Sequence, residues 1–477
     1  MAGKVALVLS SLLASVVSET VHGVVVYSRH GDRTTKHYKN QQLTSLGAQQ
    51  NFAQGNQFRA RYLDADSPQR ILDISEDKYV SSQVYASSPD QAILLNTATA
   101  FLQGLYPPLE GLDPELATSQ LNNGSESVSP LNGYQYVLLH GQSADAPDAI
   151  WIKGDDSCPT ADKAQKSFES STEFRDRSDQ TKSFYEKFQS TLADVYDYTS
   201  PANFSYKNAY DIFDLINVAR IHNKSSPALD VSDEDLFQLR TLSDSSEFGY
   251  NYNVSQPSGS IHAKTLNAGL LSQLQKIVTT KAKLKFSLFA GSYDTMLAFF
   301  GVNGLIQLSD NFRGLPDYAS TLSFELFTEE DMTSFPDNTD SLRVRFFLKN
   351  GTTSEFTSYP LFGSGEDSLS WSKFQSEMSD RSLSDVGTWC SACQSKLPFC
   401  AAYIDDASAD TNSKKDGGLS PLAKGGIAMI VIGSVFLIAG LALFLLSRRK
   451  RAQAPAAAPM ATADQKSINS DSTPSQV

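Results

Sequence analysis

The sequence predicts an α/β protein: a three-layer, doubly wound, mainly parallel sheet with a mainly helical insertion and one C-terminal transmembrane helix. Three observations carry this. A short β-rich run, a polar loop and a helix recur three times, the pattern of an α/β core. Between about residues 110 and 280 the composition shifts to polar helical segments. Gly425 to Leu446 is an apolar run without a charge, long enough to cross a bilayer as a helix.

The first unit begins with His22 to Tyr27, a β-branched apolar run that reads as a buried strand. The loop Ser28 to Thr35 follows at its C-terminal end, where ligands sit in open α/β sheets. A helix then opens at Leu43–Gly47, with Thr44 or Ser45 as its cap, and runs through Tyr62. Gln83 to Ala86 is the second strand. Ser87-Ser88-Pro89-Asp90 starts a helix to about Gly104, with Pro89 at an early position where its missing N–H costs little. Leu284 to Ala290 is the third strand, followed by Gly291 to Asp294 and a helix over Thr295 to Phe300. The core is expected over residues 19–110 and 280–404. The insertion covers about 111–279, with helices over Ser167 to Ser190 and Ala209 to His222.

The ends predict a type I membrane topology. Lys4, the apolar Val5 to Val17 and the small Ser18 form a secretory signal, residues 1–18. Residues 405–424 read as a polar stalk. Arg448-Arg449-Lys450-Arg451 directly follows the span 425–447 and holds that side in the cytosol. The tail 448–477 is too poor in apolar bulk to fold alone. Five glycan acceptor patterns, at Asn123, Asn203, Asn223, Asn253 and Asn350, all lie between the signal and the span. The main domain is thereby expected outside the cell or in a secretory or vacuolar lumen.

The net charge of −13 and a pI near 5.0 argue against a nucleic-acid partner, since no basic stripe is present. In an oxidising compartment the four cysteines are expected to form two disulfides. The expected pairing is Cys390–Cys393 with Cys158–Cys400, one of three possible connectivities. His22, His37, His140, His222 and His262 are scattered without metal-ligand spacing, so no metal and no cofactor is expected. Trp371, Trp389 and the aromatic stretch from Phe286 to Phe300 read as core.

The chemistry lies in Arg29-His30-Gly31-Asp32-Arg33. Two guanidiniums flanking one imidazole push it toward neutral, because the arginines cannot release their charge. A neutral imidazole is a nucleophile. The same arginines can fork onto phosphate oxygens and stabilise developing negative charge. That combination points to phosphoryl transfer through a phosphohistidine; a surface Arg–His cluster paired to acids such as Asp32 is the competing reading. The loop through Thr34 resembles the catalytic loop of the histidine acid phosphatases, of phosphoglycerate mutase-like fold. Leu43 to Gly47 through Gly55 and Arg59 to Tyr62 resembles the family's next helix. Ser87 to Asp90 through Gly104 to Pro108 resembles its second strand–helix region, and Gly291 to Phe300 its late catalytic loop. The resemblance implies His30 as nucleophile, Arg29 and Arg33 as phosphate ligands, and Asp294 as proton donor to the leaving alcohol, protonated at acid pH. Asp32 is expected to orient the loop.

Three positions depart from the family pattern. Tyr85 and Gln91 stand where the resemblance implies arginines, and Tyr293 stands where it implies a histidine. One lost charge-assisted hydrogen bond is worth about 1.5–3 kcal/mol. Losing an arginine and a histidine would remove roughly a thousandfold in rate, unless an arginine of the insertion, such as Arg220 or Arg240, substitutes in space. Two functions therefore stand: a phosphomonoesterase with an altered pocket, and a membrane-tethered, catalytically weakened or inactive relative that binds a phosphorylated ligand or a partner protein. The retained nucleophile, arginines and acid favour the enzyme. The altered pocket disfavours a highly anionic substrate such as phytate.

Overall fold

The computed structural model describes residues 19–409, with side chains through Tyr403. The expected signal, the membrane span, the tail and most of the stalk lie outside the described residues. No helix among the described residues is long and apolar enough to cross a membrane.

Strand β1 (Thr20–Arg29) is buried along its whole length. Val25 and Tyr27 face one core, and Val24 and Val26 face the other. Two-sided burial explains its unbroken apolar character. A bulge between Val21 and Gly23 shifts the register and lets Val21 join Val24 and Val26 on one face. The next elements are helix α1 (Ser45–Tyr62), strand β2 (Val84–Pro89) and helix α2 (Ala92–Leu105). Phe58, Tyr62 and Phe101 of these helices cover the face that carries Val24. Thr44 caps α1 as expected, accepting a bond from Gly47 N–H.

The intervening segment is mainly helical, but not wholly. It holds a small hairpin (Thr118–Gln120 with Glu126–Val128) and strand β3 (His140–Gln142), which pairs in parallel with β2. Its longer helices are α3 (Pro159–Lys166), α4 (Thr172–Glu186), α5 (Ala209–His222), α6 (Asp233–Asn251) and α7 (Ile261–Thr279). The helix expected over Ser167–Ser190 is shorter, because a 3₁₀ turn at Ser167–Ser170 ends before Ser171 caps α4. Strand β4 (Phe286–Gly291) and helix α8 (Tyr293–Val302) follow. Helices α7 and α8 cover the face that carries Val25, completing three layers.

The sheet departs from the mainly parallel expectation. Strands β5 (Thr321–Thr328), β6 (Arg343–Lys349), β7 (Thr357–Ser358) and β8 (Ser368–Ser370) complete it. The order is β8-β6-β5-β1-β4-β2-β3, with β7 also paired to β6. Pairs β1/β4, β4/β2 and β2/β3 are parallel. Pairs β1/β5, β5/β6, β6/β8 and β6/β7 are antiparallel. The sheet is mixed because the chain after β5 returns directly beside the preceding strand and needs no helical crossover. Pro89 also differs from expectation: it ends β2 rather than starting α2. Pairing of Ser87–Pro89 with His140–Gln142 holds it extended.

Helices α9 (Trp371–Asp380), α10 (Val386–Cys393) and α11 (Pro398–Ala409) close the described chain. The last runs into the first residues expected to be stalk. The disulfides pair differently from expectation: Cys158 with Cys393, and Cys390 with Cys400. Cys390 and Cys393 lie one turn apart inside a continuous helix. Each meets a neighbour packed on that helix, in α11 and at the start of α3 respectively. Ile150, Ile261 and Trp389 bury both bridges in a separate small core.

Candidate active site

The loops after β1, β2 and β4 emerge at the same edge of the parallel half-sheet. The first is pinned from both sides. Arg29 N–H donates to Ser320 O at 2.9 Å, His30 N–H to Gly291 O at 3.2 Å, and Ala319 N–H to His30 O at 3.0 Å. Helix α1 fixes its outer side: Asn51 Oδ1 accepts from Gly31 N–H and Gln50 Oε1 from Asp32 N–H, both at 2.7 Å. Gly31 and Gly47 allow this contact. A Cβ on Gly31 would lie 2.3 Å from Gly47 O, and one on Gly47 would lie 2.0 Å from Asp32 O. Asp32 is fully buried and accepts from Thr44 Oγ1, and His222 Nε2 sits 2.6 Å from its Oδ1.

His30 is 4 % exposed. Its Nδ1 lies 2.8 Å from Gly31 O. A carbonyl only accepts, so Nδ1 carries the hydrogen and Nε2 keeps its lone pair. Burial, then the charges of Arg29 and Arg33, push the imidazole well below its ordinary range; the Gly31 carbonyl and Asp294 oppose this and lose. Burial and the two guanidiniums thus favour the neutral ring, with its hydrogen on Nδ1.

The two arginines are held differently. Arg29 donates to Pro316 O, and its guanidinium lies between Tyr293 and Tyr318, 5.0 and 4.6 Å from their ring centroids. Arg33 is almost fully buried and paired to Asp214, with Nη1 at 3.0 Å from Oδ1 and 3.1 Å from Oδ2. Its Nη2 donates to Tyr210 Oη at 2.7 Å. Asp214 also accepts from Thr35 Oγ1 and Lys36 N–H. Sequence reasoning missed Asp214, Tyr210 and Tyr318, which lie far along the chain and carry no local motif.

Asp294, in the first turn of α8, is ion-paired. Lys153 Nζ lies 3.3 Å from its Oδ2, and Thr295 N–H donates to Oδ1 at 2.8 Å. Burial alone would raise its pKa. The Lys153 ammonium, then Lys36 and His262, overcome that and hold the carboxyl well below the usual range. Tyr293 donates to Glu247 Oε2 at 2.7 Å and receives Lys36 Nζ at 3.2 Å. Burial raises Glu247 above the ordinary carboxylate value despite Lys36 and Tyr293. Lys36, Lys153 and Glu247 were all missed in sequence. Lys36 lies one residue past the loop and was within reach of a wider motif; the other two were not.

The altered positions separate in space. Tyr85 stacks on His140 with centroids 5.2 Å apart, and it lines a cavity of about 400 Å³ with Trp151, Gln273 and Lys276. That cavity is lined by none of the His30 loop residues, so its size does not mark the chemistry. Gln91 stands at the N-cap position of α2 without a side-chain capping bond and shares a smaller cavity, about 30 Å³, with Lys153. Arg220 is engaged by Asp233 at 2.7 Å. Arg240, bonded to Asp244 at 2.9 Å, lines a cavity of about 100 Å³ with Arg29, Asp214 and Tyr318. Among the described residues no group of three or more His, Cys, Asp or Glu side chains is placed to hold a metal ion.

The chain is 25 % identical over 354 residues to a lysosomal acid phosphatase of Xenopus laevis, covering 69 % of this chain and 72 % of that protein. It is 23 % identical over 331 residues to the human prostatic acid phosphatase, covering 66 % and 76 %. Among solved structures, a phytase from D. castellii shares the fold with a TM-score of 0.51 at 14 % identity, covering 84 % of this chain and 87 % of that one. A phytase from Citrobacter braakii matches with a TM-score of 0.50 at 13 % identity, covering 76 % and 98 %. The family model of the histidine phosphatase superfamily, branch 2, matches residues 37–349, beginning just after the His30 loop. With that match spanning most of the chain, and the buried Arg–His–Arg loop preceding it, the chain belongs to the histidine phosphatase superfamily.

Proposed function

We propose that the protein hydrolyses phosphomonoesters through a phosphohistidine at His30, on the extracellular or lumenal side of a membrane that it spans once. The observation that carries this is the His30 ring: its Nδ1 is committed to Gly31 O and its Nε2 is unprotonated, with Arg29 and Arg33 at either side in sequence. Its relatedness to acid phosphatases supports the reaction class.

In the first step, Nε2 of His30 bonds to phosphorus as the bond to the ester oxygen breaks. Arg29 and Arg33 stabilise the charge on the phosphoryl oxygens. The departing oxygen takes a proton from the Asp294 carboxyl, so the alcohol leaves neutral. In the second step, water attacks phosphorus, its proton goes to the Asp294 carboxylate, and the P–N bond breaks. His30 and Asp294 return to their starting protonation states, and phosphate leaves. The depressed pKa of His30 keeps the nucleophile unprotonated at acid pH; Asp294, held below the usual range by Lys153 in the resting site, takes up its proton once substrate draws that ammonium away.

The test is phosphate release from an aryl phosphate by the full chain in detergent, across roughly pH 3 to 8, with His30→Ala alongside. Wild type should turn over with an acidic optimum, and His30→Ala should lose at least about a thousandfold. A second reading, a protein that binds phosphorylated ligands without turnover, draws on the Lys153–Asp294 pair, which leaves Asp294 ion-paired in the resting site. A folded wild type no faster than His30→Ala would establish that reading instead.

A further inference from the structure

We infer that Lys153, carried in by the helical segment between β3 and α3, is a phosphate-binding residue that alternates between Asp294 and the substrate. The inference rests on the phosphatase reading for its kinetics, but not for binding itself. It begins with which cations in the site are already committed. Arg33 is neutralised by Asp214 and further tied to Tyr210. Arg29 is tied to a carbonyl and two aromatic faces. The Lys153 ammonium has one anionic contact within ion-pair distance, Asp294 at 3.3 Å, and its side chain is only 12 % exposed.

Lys153 is also unusually well aimed. The carbonyl of Gly154 accepts from Trp389 Nε1 at 2.7 Å. Gly154 packs so closely on α7 that a Cβ there would lie 2.1 Å from Thr265 Oγ1. A few residues on, Cys158 is bonded to Cys393. A lysine on a mobile surface turn would need none of this bracing. The backbone beside Lys153 is fastened to α10 and α7, so the ammonium reaches the site at little further entropic cost.

The consequence is an exchange of partners. A phosphoryl group entering over His30 brings negative charge next to the Lys153–Asp294 pair. Lys153 donates to it and releases Asp294, which then takes up the proton it passes to the leaving oxygen; Lys153 itself stays protonated. Other charged and titratable groups act on Asp294 as well: Lys36 just past the His30 loop, His262 from α7, Asp156 from the segment that carries Lys153, Glu247 from α6, Tyr27 from β1 and His30 itself. Of the charges that lower the Asp294 pKa, the Lys153 ammonium acts most strongly.

Lys153→Met keeps most of the apolar stem and removes the charge; Lys153→Arg keeps the charge. Lys153→Met should raise KM at least about tenfold, and Lys153→Arg should recover part of it. The alkaline limb of kcat/KM, which reports free-enzyme groups, should move to higher pH in Lys153→Met, because Asp294 then stays protonated longer. The effect on kcat should be larger for an alkyl phosphate than for an aryl phosphate, whose leaving group needs less protonation. Calorimetry with inorganic phosphate should show a matching loss of affinity. Unchanged KM, pH limb and phosphate affinity in a folded Lys153→Met would overturn the inference and leave Lys153 a structural ion pair. A wild type that binds phosphate through Lys153 yet turns over no ester would reject the phosphatase reading and keep the inference.

Discussion

Arg33 is the residue whose environment says most about the site's energetics. A guanidinium with 1 % side-chain exposure is sustained by Asp214, itself 2 % exposed. Removing one partner of such a pair leaves the other charged and dry, which costs about 3–5 kcal/mol. Asp214→Ala should therefore lower unfolding free energy in urea by about that amount, the more so because Thr35 and Lys36 N–H lose the same acceptor. A phosphate anion can supply the missing charge. Saturating inorganic phosphate should therefore stabilise Asp214→Ala more than wild type; equal stabilisation of both would show that Arg33 does not face the anion site. Tyr293 is a comparable case. It holds a ring face to Arg29 and a hydroxyl to Glu247, so the absence of a histidine there leaves no gap, only a neutral donor in place of a charge.

At the scale of elements, the junction of β1 and α1 decides whether His30 is presented at all. Helix α1 is capped by Thr44, and its first turn meets the loop backbone at Gly47. A methyl at Gly47 would strike Asp32 O, a backbone atom that cannot swing aside. Gly47→Ala should cost at least about 1–3 kcal/mol, read from thermal or urea unfolding, and should depress phosphate release beyond the stability loss by moving Asp32 and His30. Gly111→Ala is the control: nothing lies within 4 Å of a Cβ there, and both measurements should stay at wild-type values. A Gly47→Ala protein with normal stability and activity would show that the loop tolerates displacement. Much at this scale was legible beforehand. The strand over His22–Tyr27, the Thr44 cap and the helix over Ala209–His222 follow from β-branched runs, a capping residue and apolar periodicity, all local properties. Pro89 was misplaced because strand pairing to His140–Gln142 overrode a local helix-start signal.

At the scale of the whole molecule, the two disulfides have unequal reach. Cys158–Cys393 closes a separation of 235 residues and Cys390–Cys400 one of 10. In the chain-entropy account the longer closure contributes roughly 2–3 kcal/mol more. Guanidinium unfolding of Cys158→Ala/Cys393→Ala should show the larger loss, and Cys390→Ala/Cys400→Ala the smaller. The reverse order would place most of the stabilisation in local packing of the Trp389 core. The first pair should also raise KM, since Cys158 follows the braced turn that aims Lys153. The sequence by itself determined the α/β class, the two-sided burial of β1 and the Arg29–His30–Arg33 loop. Those depend on residues adjacent in the chain, where periodicity and short motifs operate. The tertiary structure alone decided that the sheet is mixed, that cysteines one helical turn apart bond to different partners, and that Asp214, Glu247 and Lys153 come from distant segments to Arg33, Tyr293 and Asp294. The physical reason is that ion pairs, disulfides and strand order depend on distance through space, and no spacing along the chain records which charges will be brought within about 3 Å of one another.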